Sequence, residues 1–131
     1  MRQRMLAELR RIRARPSPEA LSGRTTLDLK QDPGAVVDIE FMVQYLVLGW
    51  AHAHPSLLLH TDGIRTLETA EAEGILPAST AGLLVESYKE FRAETHRRTL
   101  ENLPSTTERT DLIERANQIA TIWDELIESD G

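Results

Sequence analysis

Four histidines, 21 acidic residues and no cysteine are the material from which this 131-residue chain could build a reactive site. His52 and His54 are two apart, so on a helix their side chains diverge by about 200° and cannot share a metal ion. His60 and His96 stand alone, and no His-Glu-x-x-His pattern occurs. Asp38 and Glu40 are also two apart. On a strand such a pair could hold magnesium between them, as nucleotidyl transfer requires; on a helix it diverges. Glu40 lies in the most apolar stretch of the chain, where a carboxylate needs a partner, and Lys30, Arg65 and Arg92 are the candidates. Pro33-Gly34-Ala35 runs into a helix start, whose outward N–H groups, with Lys30 nearby, could hold a phosphate. No Walker A pattern, dinucleotide glycine fingerprint or Gly-x-Ser-x-Gly is present.

The elements that must position these residues read as helices. From Val36 to about His52 the apolar positions Ile39, Met42, Val43, Leu46, Val47 and Trp50 keep the helical period, with Phe41, Tyr45 and Leu48 apolar as well. A helix apolar on most sides is buried on most sides, so this one is expected at the centre. Pro55 closes it, and Leu57, Leu58 and Leu59 are expected to pack down. Thr61 or Asp62 caps a helix to about Glu73, with Gly74 beyond its end. A long helix follows Pro77 to Leu100, its stripe made by Leu84, Tyr88, Phe91 and Thr95. Residues 102–110 form a polar loop, and Thr110 or Asp111 caps a last helix carrying Leu112, Ile113, Ala116, Ile119, Ala120, Trp123, Leu126 and Ile127. Residues 2–14 read as an arginine-rich helix with Met5, Leu9 and Ile12 on one stripe, ended by Pro16 and Pro18. Residues 16–26 read as a linker, and Thr26–Gln31 as a short strand whose partners are expected to lie outside this chain. The fold class is therefore all-α, an antiparallel bundle of four to five helices with a short extended segment near residues 26–31. Its expected divisions are a basic helix at 1–15, a linker and turn at 16–34, and a helical bundle at 35–131.

Charge is distributed unevenly. Six arginines against Glu8 give residues 1–15 a net +5, which leaves −11 on the remainder to reach the overall −6. The basic arm has no aromatic residue to stack on bases, and the acidic body repels a phosphate backbone, so no nucleic-acid partner is expected; a nucleic-acid-binding arm is the rival reading. No apolar run approaches the ~20 residues that span a bilayer, and the cysteine-free composition fits a reducing compartment, so the expectation is a cytoplasmic chain without a membrane partner.

The continuous stretch Leu27 to Leu48 carries Leu29-Lys30-Gln31-Asp32-Pro33-Gly34, Asp38-Ile39-Glu40-Phe41 and Gln44-Tyr45-Leu46-Val47-Leu48. It resembles the signature of the C-terminal half of bacterial glutamine synthetase adenylyltransferases, Leu-Lys-x-Asp-Pro-Gly-Gly followed by Asp-Ile-Glu-Phe and Gln-Tyr-Leu-Val-Leu. The likeness continues through Ala51-His52, Pro55, Thr61-Asp62-Gly63-Ile64-Arg65, Leu67-Glu68, Gly74-Ile75-Leu76, Tyr88, Arg92, His96-Arg97 and Trp123. Ala35 stands where the family has a second glycine. What the resemblance implies is an enzyme of two similar halves, each a nucleotidyltransferase domain followed by a helical domain. The C-terminal half moves AMP from ATP to a tyrosine of glutamine synthetase, and the N-terminal half removes it. Glutamine and the PII signal protein set the balance. The family's magnesium-binding carboxylates lie in a Gly-Ser-x-x-Asp-x-Asp motif and an Asp-Leu-Arg-type strand, and neither pattern occurs in this sequence.

The expectation is thus a non-catalytic helical segment with no catalytic or metal-binding residue of its own, and no cofactor bound by it; magnesium and ATP belong to the full enzyme. Lys30, Gln31, Gly34, Asp38, Glu40 and Gln44 would sit where it meets its own nucleotidyltransferase domain, supporting the nucleotide site or relaying effector state. The partners expected for the full enzyme are glutamine synthetase and PII. A pure interaction module that docks one of these two proteins is the alternative.

Overall fold

The computed structural model describes residues 18–59 and 62–128. The arginine-rich helix expected at residues 2–14 lies outside them, as does His60. Five α-helices and one small antiparallel ladder make up the described fold: α1 (Pro18–Leu21), β1 (Leu27–Asp28), α2 (Val36–Trp50), α3 (Gly63–Ala72), α4 (Ala78–Leu100), β2 (Thr106–Thr107) and α5 (Thr110–Trp123). A 3-10 turn at Pro55–Leu59 follows α2, and a π-helical turn at Asp124–Glu128 extends α5. The architecture is an all-α bundle. Its centre is α2, which packs against α3, α4 and α5 at once, as its apolar circumference requires. Ile39, Met42 and Leu46 of α2 meet Leu67 of α3, Leu84 and Phe91 of α4, and Leu112, Ile119 and Trp123 of α5 in one buried cluster.

Local chemistry sets the helix ends. Asp62 caps α3, its Oδ1 accepting from the Ile64 N–H at 2.9 Å. Gly74 lies past the other end at φ +77°, where the Ile75 N–H reaches the Ala70 carbonyl at 2.8 Å and the Gly74 N–H reaches that of Glu71. This is a Schellman ending, which needs a left-handed residue at that place. Helix α4 ends the same way with Asn102 at φ +58°, the Leu103 N–H bonding the Arg98 carbonyl. At the start of α5 the expected caps are not used. Arg109 is the capping residue and offers no side-chain bond, while Asp111 pairs with the Arg109 guanidinium at 2.7 Å.

Four other expectations are corrected. The extended segment has its partner within this chain: Leu27 pairs with Thr107 and Asp28 with Thr106, and the Leu29 N–H continues the ladder to the Ser105 carbonyl. β2 falls inside the stretch read as a polar loop, because two threonines carry no apolar alternation that would mark a strand. Within residues 16–26, Pro18–Leu21 makes a helical turn that contacts α5, and Leu21 is buried. Of the three leucines after Pro55 only Leu57 is buried; Leu58 and Leu59 are 65% and 76% exposed, because a single 3-10 turn turns just one of them inward.

Candidate functional site at the turn and the outer face of α2

The turn between β1 and α2 is closed by its own aspartates. The Asp28 N–H donates to Asp32 Oδ2 at 2.7 Å, Asp28 Oδ1 accepts from the Lys30 N–H at 3.0 Å, and Ser105 Oγ donates to the same Asp28 oxygen at 3.2 Å. These Asx bonds hold residues 28–32 in one conformation. The helix start is occupied as well. The Val36 and Val37 N–H groups donate to the Leu29 and Lys30 carbonyls, both at 3.1 Å, and the Gly34 N–H donates to Asp38 Oδ2 at 2.6 Å. The amides expected to face an incoming phosphate are thus spent on the chain itself.

Gly34 and Asp38 belong to the inside of this turn. Asp38 is fully buried. Gly34 has φ +86° and sits against α5 so closely that a Cβ there would overlap the Ala116 carbonyl oxygen. The close backbone approach in the Asp-Pro-Gly turn is therefore made by Gly34, and Ala35, in the place of the family's second glycine, fits as a buried residue.

Lys30, Gln31, Glu40 and Gln44 are exposed. The buried carboxylate of α2 is Asp38, where Glu40 had been expected. Tyr88 Oη of α4 donates to Glu40 Oε2 at 3.2 Å, and Arg92 Nη1 donates to Tyr88 Oη at 3.0 Å, its guanidinium carbon lying 5.5 Å from the Tyr88 ring centre. The Arg92 guanidinium is held above its ordinary range, first by the Tyr88 hydrogen bond and, more weakly, by the negative charges of Glu40 and Asp62. Two concavities share Glu40. One, of 370 Å³, holds Glu40 and Gln44 with Phe41, Val43 and Tyr88. The other, of 460 Å³, brings Lys30, Gln31 and Glu40 together with Arg92 and His96. Tyr88 and His96 are residues that sequence reasoning did not assign to a site, and Arg92 entered it only as a candidate partner for Glu40. The signal was their i, i+4, i+8 spacing, which sets all three on one face of α4.

Of the other histidines, His52 is exposed, and His54 Nδ1 lies 2.6 Å from Glu73 Oε1. Ser56 Oγ donates to the same Glu73 carboxylate, which ties the 3-10 turn to the end of α3. Among the described residues no three His, Asp or Glu side chains converge as a metal site would need, and no helix is long and apolar enough to cross a membrane.

With this geometry in place, the fold and the turn define a class: an all-helical segment whose conspicuous motif joins a short strand to a central helix. Comparison with characterised proteins shows what the chain is similar to. The bifunctional glutamine synthetase adenylyltransferase/adenylyl-removing enzyme of Pseudomonas putida is 43% identical over 107 residues, 82% of this chain and 11% of that protein. Those of Thioalkalivibrio sulfidiphilus and Pseudomonas aeruginosa are 37% and 39% identical over 128 residues each, 97% and 96% of this chain and 13% of theirs. No family model matches the chain. The chain is homologous to one segment of the bifunctional glutamine synthetase adenylyltransferase/adenylyl-removing enzymes, and it spans between 11% and 13% of the length of these curated relatives.

Proposed function

We propose that this chain is the non-catalytic helical support that follows the C-terminal nucleotidyltransferase domain of such an enzyme, which transfers AMP from ATP to a tyrosine of glutamine synthetase and so controls nitrogen assimilation. The observation that carries this reading is the identity of 37% over nearly the whole chain to a protein of that name. In the proposal, ATP and magnesium are bound by the neighbouring catalytic domain, and this chain by itself transfers nothing. Lys30, Gln31, Glu40 and Gln44, the exposed members of the motif, face that domain and carry effector state to it. Gly34 and Asp38 hold the turn in shape behind them. PII and glutamine synthetase are the full enzyme's partners, and the enzyme acts in the cytoplasm.

The test is made in the full-length enzyme. Lys30→Ala and Glu40→Gln are introduced singly, and adenylylation of glutamine synthetase is followed with and without glutamine and PII. At least one variant is expected to change the rate, or its response to an effector, by about fivefold or more. Unchanged rates together with unchanged responses in both would remove the proposed role of this face.

A further inference from the structure

Excess positive charge is scarce in this acidic body, and where it is left unpaired is informative. Arg97 and Arg98 end on Glu94, Arg109 on Glu94 and Asp111, and Arg115 on Glu90. Lys30, Arg65, Lys89 and Arg92 make no ion pair among the described residues; of these, Lys30 and Arg92 line the same 460 Å³ cavity, with His96 as a third basic group. Paired surface charges gain little from each other, but convergent unpaired ones raise the local concentration of counter-ions. Arg92 is also set in place. Its Nη1 is engaged by Tyr88 and its plane lies near the Tyr88 ring, which leaves its remaining N–H donors for a guest. Thr95 and Thr99, also on the wall, spend their hydroxyl protons on the Phe91 and Thr95 carbonyls at 2.7 and 3.0 Å. The donors available to a guest are therefore largely those of the basic side chains.

We propose that Lys30, Arg92 and His96 form a binding site for an oxyanion, a phosphate or a carboxylate group, in the cavity between the β1–α2 turn, α2 and α4. Such a group accepts charge-assisted bonds from a guanidinium, an ammonium and an imidazole N–H together. The site lies beside the helix start but does not use its amides, which are already bonded. Glu40, on the same wall, opposes the guest and limits how much negative charge the cavity accepts. The inference rests on this chain's own side chains and does not depend on the adenylyltransferase reading.

The experiment titrates the 131-residue chain with inorganic phosphate and, separately, with succinate, at constant ionic strength. Backbone amide and arginine side-chain signals are followed by NMR. Saturable shifts confined to Lys30, Arg92, His96 and their neighbours are expected. A response to phosphate alone identifies a phosphoryl group as the guest, and a response to both identifies oxyanions generally. Lys30→Ala and Arg92→Ala, both exposed and so not needed for folding, should each weaken binding by about fivefold. Glu40→Gln, which keeps an acceptor for Tyr88, should tighten it. Shifts that fail to saturate, or a midpoint unchanged in both alanine variants, would overturn the site.

Discussion

At the scale of single residues, Gly34 carries the sharpest demand. Two independent penalties meet there: a left-handed backbone, and no room for a Cβ beside the Ala116 carbonyl. Gly74 shares only the first, since at φ +77° a Cβ would meet nothing within 4 Å. Gly74→Ala is therefore expected to cost about 1 kcal/mol, the left-handed penalty alone, and Gly34→Ala clearly more, about 3 kcal/mol or above. Urea unfolding of the two variants compares them directly, and equal losses would show that the turn can move away from α5. The sequence marked Gly34 as part of a motif, but not the reason for it, because the neighbour that crowds it is 82 positions further along the chain. The exchange of roles between Asp38 and Glu40 has a similar origin. Helix α2 is apolar on most sides, so periodicity could not tell which of its two carboxylates turns inward. The carboxylate that bonds the Gly34 amide is the one that is buried.

At the scale of elements, the end of α4 is tied to the loop after it by one carboxylate. Glu94 Oε2 accepts from Arg97 and Arg98 at 2.7 and 2.8 Å, and Oε1 accepts from Arg109 at 3.4 Å. Arg98 then donates to the Pro104 and Thr106 carbonyls at 3.2 and 3.0 Å, which positions β2 for its pairing with β1. Arg97 first, and Arg98 after it, hold the Glu94 carboxyl down at about 2 against an ordinary value of 4.5, while burial works the other way. The native state thus binds this proton less readily than the unfolded chain. The contribution of Glu94 is complete above the unfolded value and falls away as the pH drops from about 4.5 to about 2. Stability measured across that window is expected to decline less steeply in Glu94→Gln than in the parent; identical slopes would show that other groups control acid unfolding. The helices themselves were legible from apolar spacing, and the cap at Asp62 and the glycine ending at Gly74 from residue type. The β1–β2 ladder was not, because its pairing joins residues about 80 apart and its stabilisation comes through Arg98 rather than through any strand-like pattern in Thr106–Thr107.

At the scale of the whole molecule, the motif segment is part of the bundle's core. Leu27 and Leu29 are fully buried in the same cluster as Ile39 and Trp123. Leu29→Ala should cost about 2–5 kcal/mol, the range for a buried leucine, and lower the urea midpoint of the entire bundle in one transition. A loss confined to the turn, with the helices melting as before, would make the segment an appendage. The six residues drawn from the motif divide by this depth, with Gly34 and Asp38 inside and Lys30, Gln31, Glu40 and Gln44 outside. Sequence reasoning grouped them because they are neighbours along the chain, whereas depth depends on which helix lies behind each. The two bonds from Val36 and Val37 back to Leu29 and Lys30 have a further consequence. They staple both ends of the turn, so the number of residues between the staples is set by geometry. Exposed connections elsewhere, such as residues 51–54, can drift in length over evolution at little cost. Here one residue added or lost would unfasten the strand from the helix, so the spacing between Lys30 and Val36 should stay constant even where the letters between them change.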